Sequence, residues 1–265
     1  MAFEHFVEDF EDIRPYTDAE MRPVLKRISH NDWLVGGVRS VLFPRCPEFL
    51  QPLVEKLVQL DLWTRLRKIE TIDQFQKNII IHRAMEYLVK KTTESVTMAG
   101  LEQLDPQKGY MYISNHRDIV LDSAFVNYSM VKTGKQIAEI AFGDNLLVND
   151  FVSDLIRINR SFIVRRDLPL RERAKATLTL SRYIAYTMEQ GNSLWLAQKE
   201  GRAKDGDDRT NPSIIKMLYF GPRREKISFD DYIARSRIVP VAVSYEYDPC
   251  DVLKAREIHR REKAG

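Results

Sequence analysis

The sequence predicts an α/β protein with a mostly parallel, mixed sheet flanked by helices, preceded by an N-terminal helical region. Two observations lead to this prediction. From Val96 onwards, short apolar runs typical of buried strands alternate with stretches of helical periodicity. Before that point, apolar residues recur at the three-and-four spacing of amphipathic helices. We therefore predict a helical region over residues 1–95 and an α/β domain over residues 96–265.

The N-terminal region contains two predicted amphipathic helices. The first runs from Pro52 to Ile69 and the second from Ile72 to Lys91, while Pro44 and Pro47 mark a loop before them. The first helix and the apolar stretch WLVGGVRSVLF at 33–43 either lie in a membrane interface or cover the core of the α/β domain.

Five strands are predicted in the second region. They are YMYIS at 110–114, QIAEIAF at 136–142, SFIVRR at 161–166, SLWLAQK at 193–199 and IVPVAVSYEY at 238–247. A helix from Pro169 to Gln190 has proline near its first turn and Gly191 after its end, as helices prefer. The polar segment 200–213 is a loop at a strand end, where open α/β sheets bind ligands. A charged helical tail follows the last strand; in α/β folds another strand often comes next, which leaves open that the chain is a fragment.

Composition excludes several classes of protein. The chain has 265 residues, of which 44% are hydrophobic and 30% charged, and its net charge of +3 is too small to indicate nucleic-acid binding. Cys46 and Cys250 provide neither a disulfide framework nor metal spacing, and they fit a reducing cytoplasm. The acidic N-terminus lacks the apolar core of a signal peptide, and no apolar run approaches the roughly 18 residues that span a bilayer.

The stretch YISNHRDIVLDS at 112–123 contains the letters HRD of the protein-kinase catalytic loop. A kinase needs an asparagine seven residues after His116, and here that position is Ser123. No glycine-rich loop, VAIK-like strand or DFG accompanies it, and no GxSxG elbow indicates a hydrolase. These two interpretations are therefore excluded.

His116 itself is a candidate general base, since it follows a predicted strand and precedes a predicted helix. A histidine base needs a carboxylate on its second ring nitrogen, and Asp118 and Asp122 are both close in sequence. The alternative is that Asp118 caps the helix and His116 only packs.

The stretch resembles the first block of the glycerophospholipid acyltransferase superfamily, in which a histidine is followed by four residues and an aspartate. Here Asp122 lies six residues after His116 and Leu121 occupies the expected position, so either the turn has one extra residue or Asp118 substitutes. We favour Asp122, because LDSAF keeps the aspartate on an apolar helix.

Three further blocks follow in the family's order, and the resemblance covers about residues 96 to 248. Phe162 to Arg166 resembles the second block, and Glu200-Gly201-Arg202 resembles the third, although it is one residue short and Ala203 replaces the usual serine. Val239-Pro240-Val241 resembles the fourth, whose proline shapes the acyl or acceptor pocket.

The resemblance implies acyl transfer from a thioester to a hydroxyl of glycerol 3-phosphate or lysophosphatidic acid, in phospholipid biosynthesis. His116 is the implied base, with Asp122 or Asp118 as its partner. The implied substrate-binding residues are Arg117, Arg165, Arg166, Glu200, Gly201 and Arg202.

Coenzyme A or acyl carrier protein is then a substrate that carries the acyl group, and no metal or organic cofactor is expected. The protein is expected in the cytoplasm, peripheral on the cytoplasmic face of the membrane. The alternatives are an acceptor lipid without phosphate and an inactive lipid-binding homologue.

Overall fold

The computed structural model of the chain describes residues 2–166, 168–206 and 208–264. Within them, five strands form one parallel sheet, where the sequence predicts five strands in a mostly parallel, mixed sheet. The last predicted strand, 238–247, ends at Val241, and the other predicted strand ends differ by no more than two residues. The α/β prediction is thus confirmed. The strands are β1 (Met111–Ser114), β2 (Ala138–Gly143), β3 (Ser161–Val164), β4 (Ser193–Ala197) and β5 (Ile238–Val241).

The order of the strands across the sheet is β3-β2-β4-β1-β5. β1 lies between β4 and β5, with Met111 opposite Leu194 on one side and Ile238 on the other. Because parallel strands point the same way, the segments that follow them meet at one edge of the sheet. The segments after β1, β4 and β5 are therefore neighbours. The segment after β3 begins three strand spacings from β1, which is about 14 Å.

Helices precede the sheet in the sequence and join its strands. In the described ranges they are α1 (Asp18–Ser29), α2 (Asp32–Leu42), α3 (Gln51–Leu66), α4 (Ile72–Phe75), α5 (Glu86–Thr92), α6 (Leu121–Lys132), α7 (Asp150–Ile158), α8 (Leu170–Glu189), α9 (Ser213–Arg224), α10 (Phe229–Ser236) and α11 (Asp251–Ala264). As predicted, α8 follows Pro169 and ends before Gly191, which has a φ of +77°. No helix in this part of the chain has the length and apolar character needed to cross a membrane.

Two compact units make up the chain. One comprises Met1–Ile13, Ser95–Ala141 and Val164–Gly265, and the other comprises Arg14–Glu94 and Phe142–Ile163. The domain boundary predicted between residues 95 and 96 stays a prediction.

The core of the first unit surrounds its strands β1, β4 and β5. Met111, Leu194 and Ile184 are fully buried, because the middle strands of a parallel sheet are covered by helices on both faces. Phe10 is buried as well, and its ring meets that of Tyr183 of α8 edge-to-face at 5.4 Å.

The second unit is mostly helical, although it includes the end of β2 and β3 up to Ile163, and it has its own apolar core. Side chains of α1, α3, α4 and α7 share this core, which is made of Met21, Val24, Leu25, Ile28, Leu66, Ile72, Phe75 and Ile158. The helices begin where the local sequence supplies caps. Thr17 and Glu20 form a capping box at α1, and Asn31 and Asn149 accept backbone hydrogen bonds at the starts of α2 and α7.

The helix predicted from Ile72 to Lys91 contains a π-helix at Gln76–Met85, between α4 and α5. Gln76, Ile81 and Met85 are buried in it, at spacings of five and four residues that follow the wider π-helical turn. The Gln76 amide donates to Asn159 Oδ1 at 2.5 Å.

Candidate active site

His116 lies in the turn between β1 and α6, two residues after the strand ends. Its Nδ1 is 2.9 Å from Oδ2 of Asp122, which lies in the first turn of α6. The His116 side chain is 15% exposed, and that of Asp122 is fully buried. Since Asp122 engages Nδ1, the second ring nitrogen, Nε2, is the one left to take a proton from a bound molecule.

The Asp122 carboxylate receives four hydrogen bonds. Besides His116, the backbone amides of Arg117 and Asp118 donate to Oδ2 at 2.6 and 3.0 Å, and the Tyr245 hydroxyl donates to Oδ1 at 2.7 Å. Burial raises the pKa of Asp122, but these hydrogen bonds outweigh it and hold the pKa below its usual value. The carboxylate is therefore charged at neutral pH and orients the imidazole.

Asp118 has a different position. Its Oδ1 accepts hydrogen bonds from the backbone amides of Val120 and Leu121, both at 2.9 Å, and so closes the turn that leads into α6. This is the turn geometry in which an aspartate accepts hydrogen bonds from backbone amides two and three residues further on. Of the two aspartates that the sequence leaves open, Asp122 contacts His116 and Asp118 shapes the turn. That turn accommodates the longer spacing between histidine and aspartate.

The backbone and ring of His116 are fixed from the side of β4. The backbone amide of Ala203 donates to the His116 carbonyl at 2.7 Å. The Trp195 ring meets the imidazole edge-to-face at 5.6 Å, and its Nε1 donates to Ser114 Oγ at 3.0 Å. Trp195 is buried, so it forms a rigid apolar wall beside the histidine.

The predicted residues Glu200, Gly201 and Arg202 follow β4, next to the end of β1. Gly201 has a φ of +74°, a conformation that favours glycine, and it turns the chain back so that Ala203 reaches His116. Glu200 is exposed and Arg202 is half-buried. Arg202 has no side-chain hydrogen bond or ion pair to another described residue, so its guanidinium is available to an anion.

The other predicted arginines have protein partners. Arg117 Nε lies 3.3 Å from Asp248 Oδ2, and its Nη1 donates to the Asp205 carbonyl at 3.3 Å. Arg165 follows β3 and forms an ion pair of 3.0 Å with Asp12, in which both side chains are largely exposed. Arg166 beside it is half-buried. The structure does not bring Arg165 or Arg166 into contact with His116.

A model of the family described as Acyltransferase matches residues 95–243, more than half of the chain. The chain belongs to the acyltransferase family. No curated protein matches it. A solved structure, chloroplast FtsY from Physcomitrella patens, is similar at 12% identity over 91% of this chain and 77% of its own, with a TM-score of 0.28. A likeness of that size carries no argument about function.

Pro240 of the acyltransferase lies in β5, the edge strand, opposite Ile113 of β1. An edge strand tolerates proline because its outer backbone amides have no partner strand. Pro240 is exposed, and its predicted place in an acyl pocket stays a prediction. No group of three His, Cys, Asp or Glu in the described ranges is placed to hold a metal ion, and the expected independence from metal also stays a prediction.

Sequence reasoning missed three residues that support the histidine turn: Tyr245, Asp248 and Lys254. Tyr245 contacts Asp122, and the buried Lys254 donates through Nζ to the Arg117 carbonyl at 2.8 Å and to Asp248 at 2.5 Å. All three lie beyond residue 243, where the family match ends. The sequence indicated their role in one way only: they follow β5, so they lie at the same edge of the sheet as the segment after β1.

Proposed function

We propose that this acyltransferase moves a fatty acyl group from a thioester to a hydroxyl of glycerol 3-phosphate or lysophosphatidic acid. The observation that carries the proposal is the contact of His116 Nδ1 with the buried, charged Asp122, which directs Nε2 away from its partner. This is the arrangement of a general base, and it lies inside the region that matches the family.

The reaction needs no covalent enzyme intermediate. Nε2 of His116 takes the proton of the acceptor hydroxyl while the hydroxyl oxygen attacks the thioester carbonyl carbon. Asp122 stabilises the imidazolium that forms. The tetrahedral intermediate then expels the thiolate as the C–S bond breaks, and the imidazolium returns its proton to that sulfur. The products are an ester and a free thiol, and His116 is again neutral.

Arg202 is the residue best placed to bind the acceptor phosphate. It follows the strand next to β1, and no described side chain neutralises it. Arginine binds phosphate oxygens in pairs through its fork of N–H donors. Arg165 can take part only by releasing Asp12, and an ion pair this exposed is worth only about 0.2–1 kcal/mol.

Acyl-CoA and acyl carrier protein that carries an acyl group are the two thioester donors that fit this mechanism, and both act as substrates. Neither the proposed reaction steps nor the proposed roles of His116 and Asp122 require a resident cofactor. We place the reaction at the cytoplasmic face of the membrane, because the product is a lipid and lysophosphatidic acid, one of the two acceptors, is a lipid as well.

The second unit supplies an apolar surface for such membrane contact. On α3, Leu53, Leu57 and Leu60 share one helical face and are each 58–62% exposed. Trp33 and Phe49 are about 80% exposed as well. Residues 33–68 contain six lysines and arginines against three acidic residues. An exposed apolar face with a basic surplus fits an anionic lipid surface.

An acceptor without phosphate is the second candidate. It is favoured by the partners that already engage Arg117 and Arg165, which leave fewer free cations for a phosphate. An inactive lipid-binding homologue is disfavoured, since the His116–Asp122 contact that catalysis requires is present.

The test is transfer of a labelled acyl group by the wild type from acyl-CoA and from acyl carrier protein. The acceptors are glycerol 3-phosphate, lysophosphatidic acid and a lysolipid whose phosphate is replaced by a hydroxyl. The proposal predicts transfer to one of the phosphate acceptors, and the preferred one identifies the step. Transfer to the neutral acceptor alone would establish the second candidate, and transfer to none would support the inactive homologue.

Arg202→Ala tests the phosphate site. We expect KM for the phosphate acceptor to rise about tenfold to a hundredfold, as one charge-assisted contact is lost. The matched control is Arg235→Ala on α10, an exposed arginine without a described partner, which should leave KM unchanged. Equal KM values for both variants would place the phosphate elsewhere.

The membrane surface is tested by sedimentation with vesicles that contain anionic lipids. Replacing Leu53, Leu57 and Leu60 together with aspartate should abolish sedimentation, whereas Leu170→Asp, at a residue 82% exposed in the first unit, should not. Sedimentation of the triple variant at the wild-type level would reject this surface.

A further inference from the structure

We infer that the segment from Val243 to Lys254 completes the active site, and that Tyr245 is a positioning residue that sets the basicity of His116 through Asp122. This segment follows β5 and ends in the first turn of α11. The inference rests on the proposed role of His116 as the base. Apart from Val243, the residues of this segment lie beyond the matched region, which ends at 243.

The segment contacts the histidine turn from both sides of His116. On the side of β1, Asn115 exchanges two hydrogen bonds of 2.7 Å with the backbone of Val243. On the side of α6, Lys254 holds the Arg117 carbonyl and Asp248 holds the Arg117 side chain. The two residues that flank His116 are therefore both fixed by this one segment.

Tyr245 acts on the dyad itself. Its hydroxyl donates to Oδ1 of Asp122 while His116 occupies Oδ2 of the same carboxylate. Burial and the hydrogen bond to Asp122 both raise the pKa of Tyr245, so that the hydroxyl remains a proton donor at neutral pH. Its ring packs 6.1 Å from that of Phe125 on α6, which restricts the direction of the hydroxyl.

Two donors that share one carboxylate compete for its charge. When Tyr245 donates, the carboxylate is less basic and stabilises the His116 imidazolium less. Without the Tyr245 hydroxyl, the Asp122 carboxylate should stabilise the His116 imidazolium more strongly, and the pKa of His116 should rise. The remaining charged and titratable groups on the segments around the pair include Arg117, Asp118, Arg202, Asp248, Cys250 and Lys254. They are the same in the wild type and in a Tyr245→Phe variant, so their effects cancel in the comparison.

The experiment is an NMR titration of the His116 imidazole, assigned by the signal that disappears in His116→Gln. Tyr245→Phe should raise the His116 pKa by about half a unit to one unit, which is a threefold to tenfold change in the neutral fraction at acidic pH. Tyr247→Phe is the matched control, because Tyr247 is 81% exposed in the same segment, and it should leave the titration unchanged. A His116 pKa that does not move in Tyr245→Phe would overturn the inference.

The titration needs no substrate, so its outcome is independent of the proposed reaction. If the protein transfers acyl groups, the acidic limb of kcat/KM should move by the same amount. If the NMR shift occurs in a protein that transfers no acyl groups, the role of Tyr245 is supported and the proposed function is rejected. Should Tyr245→Phe not fold, 3-fluorotyrosine at position 245 provides a stronger hydroxyl donor. It should lower the His116 pKa, and an unchanged value would again reject the role of Tyr245.

Discussion

Replacing Asp122 with asparagine tests which carboxylate serves His116. The asparagine oxygen can occupy the position of Oδ2 and accept the two backbone hydrogen bonds and the His116 ring N–H. Its amide group then faces the Tyr245 hydroxyl, which can rotate to accept. The fold and the orientation of the histidine are thus retained, and the negative charge is lost.

General-base catalysis is worth about 10² to 10⁴ in rate, so we expect Asp122→Asn to lower kcat/KM by about that factor. Asp118→Asn is the matched control. Its Oδ1 can still accept from Val120 and Leu121, and asparagine forms the same kind of turn as aspartate, so we expect less than about a tenfold loss. The assay is initial-rate acyl transfer with both variants shown folded by circular dichroism. A larger loss in Asp118→Asn than in Asp122→Asn would refute this assignment of the two carboxylates.

Two further predictions concern stability. Gly201→Ala should lower the free energy of unfolding by about 1–2 kcal/mol in urea titrations, since a side chain at a φ of +74° is strained even though the space around it is open; an unchanged midpoint would mean that the loop relaxes. The pKa values of Asp122 and Asp248 lie below the usual 3.8, so their stabilisation is complete above that pH and is lost as the pH falls through their lowered values. Acid denaturation of Asp248→Asn should therefore be less steep than that of the wild type, and parallel curves would contradict this.

The strands were predictable because each is a short apolar run bounded by turn residues. β1, for example, lies within the run YMYIS, which is followed by the polar Asn115. The position of His116 after this strand was also predictable, since ligands bind at the carboxyl ends of parallel strands. The choice between Asp118 and Asp122 depends on the shape of one turn, which spacing alone leaves open.

The features that the sequence did not reveal depend mostly on contacts between residues far apart in the chain. The position of Arg165 relative to His116 depends on the strand order, in which β2 and β4 separate β3 from β1. Tyr245 contacts Asp122 across 123 positions of the chain, and no local pattern encodes that approach. The π-helix after α4 was missed because the apolar residues of this stretch recur at a spacing that also fits an ordinary α-helix.

The central claim is that His116 is the base in acyl transfer, and the most direct measurement compares His116→Ala with His259→Ala. His259 lies exposed on α11 and controls for the loss of an imidazole. Both variants are assayed with the donor and acceptor that the wild type prefers, and release of free thiol is followed together with ester formation. We expect His116→Ala to lose at least about a hundredfold in rate and His259→Ala to keep the wild-type rate. Wild-type transfer by a folded His116→Ala protein would contradict it.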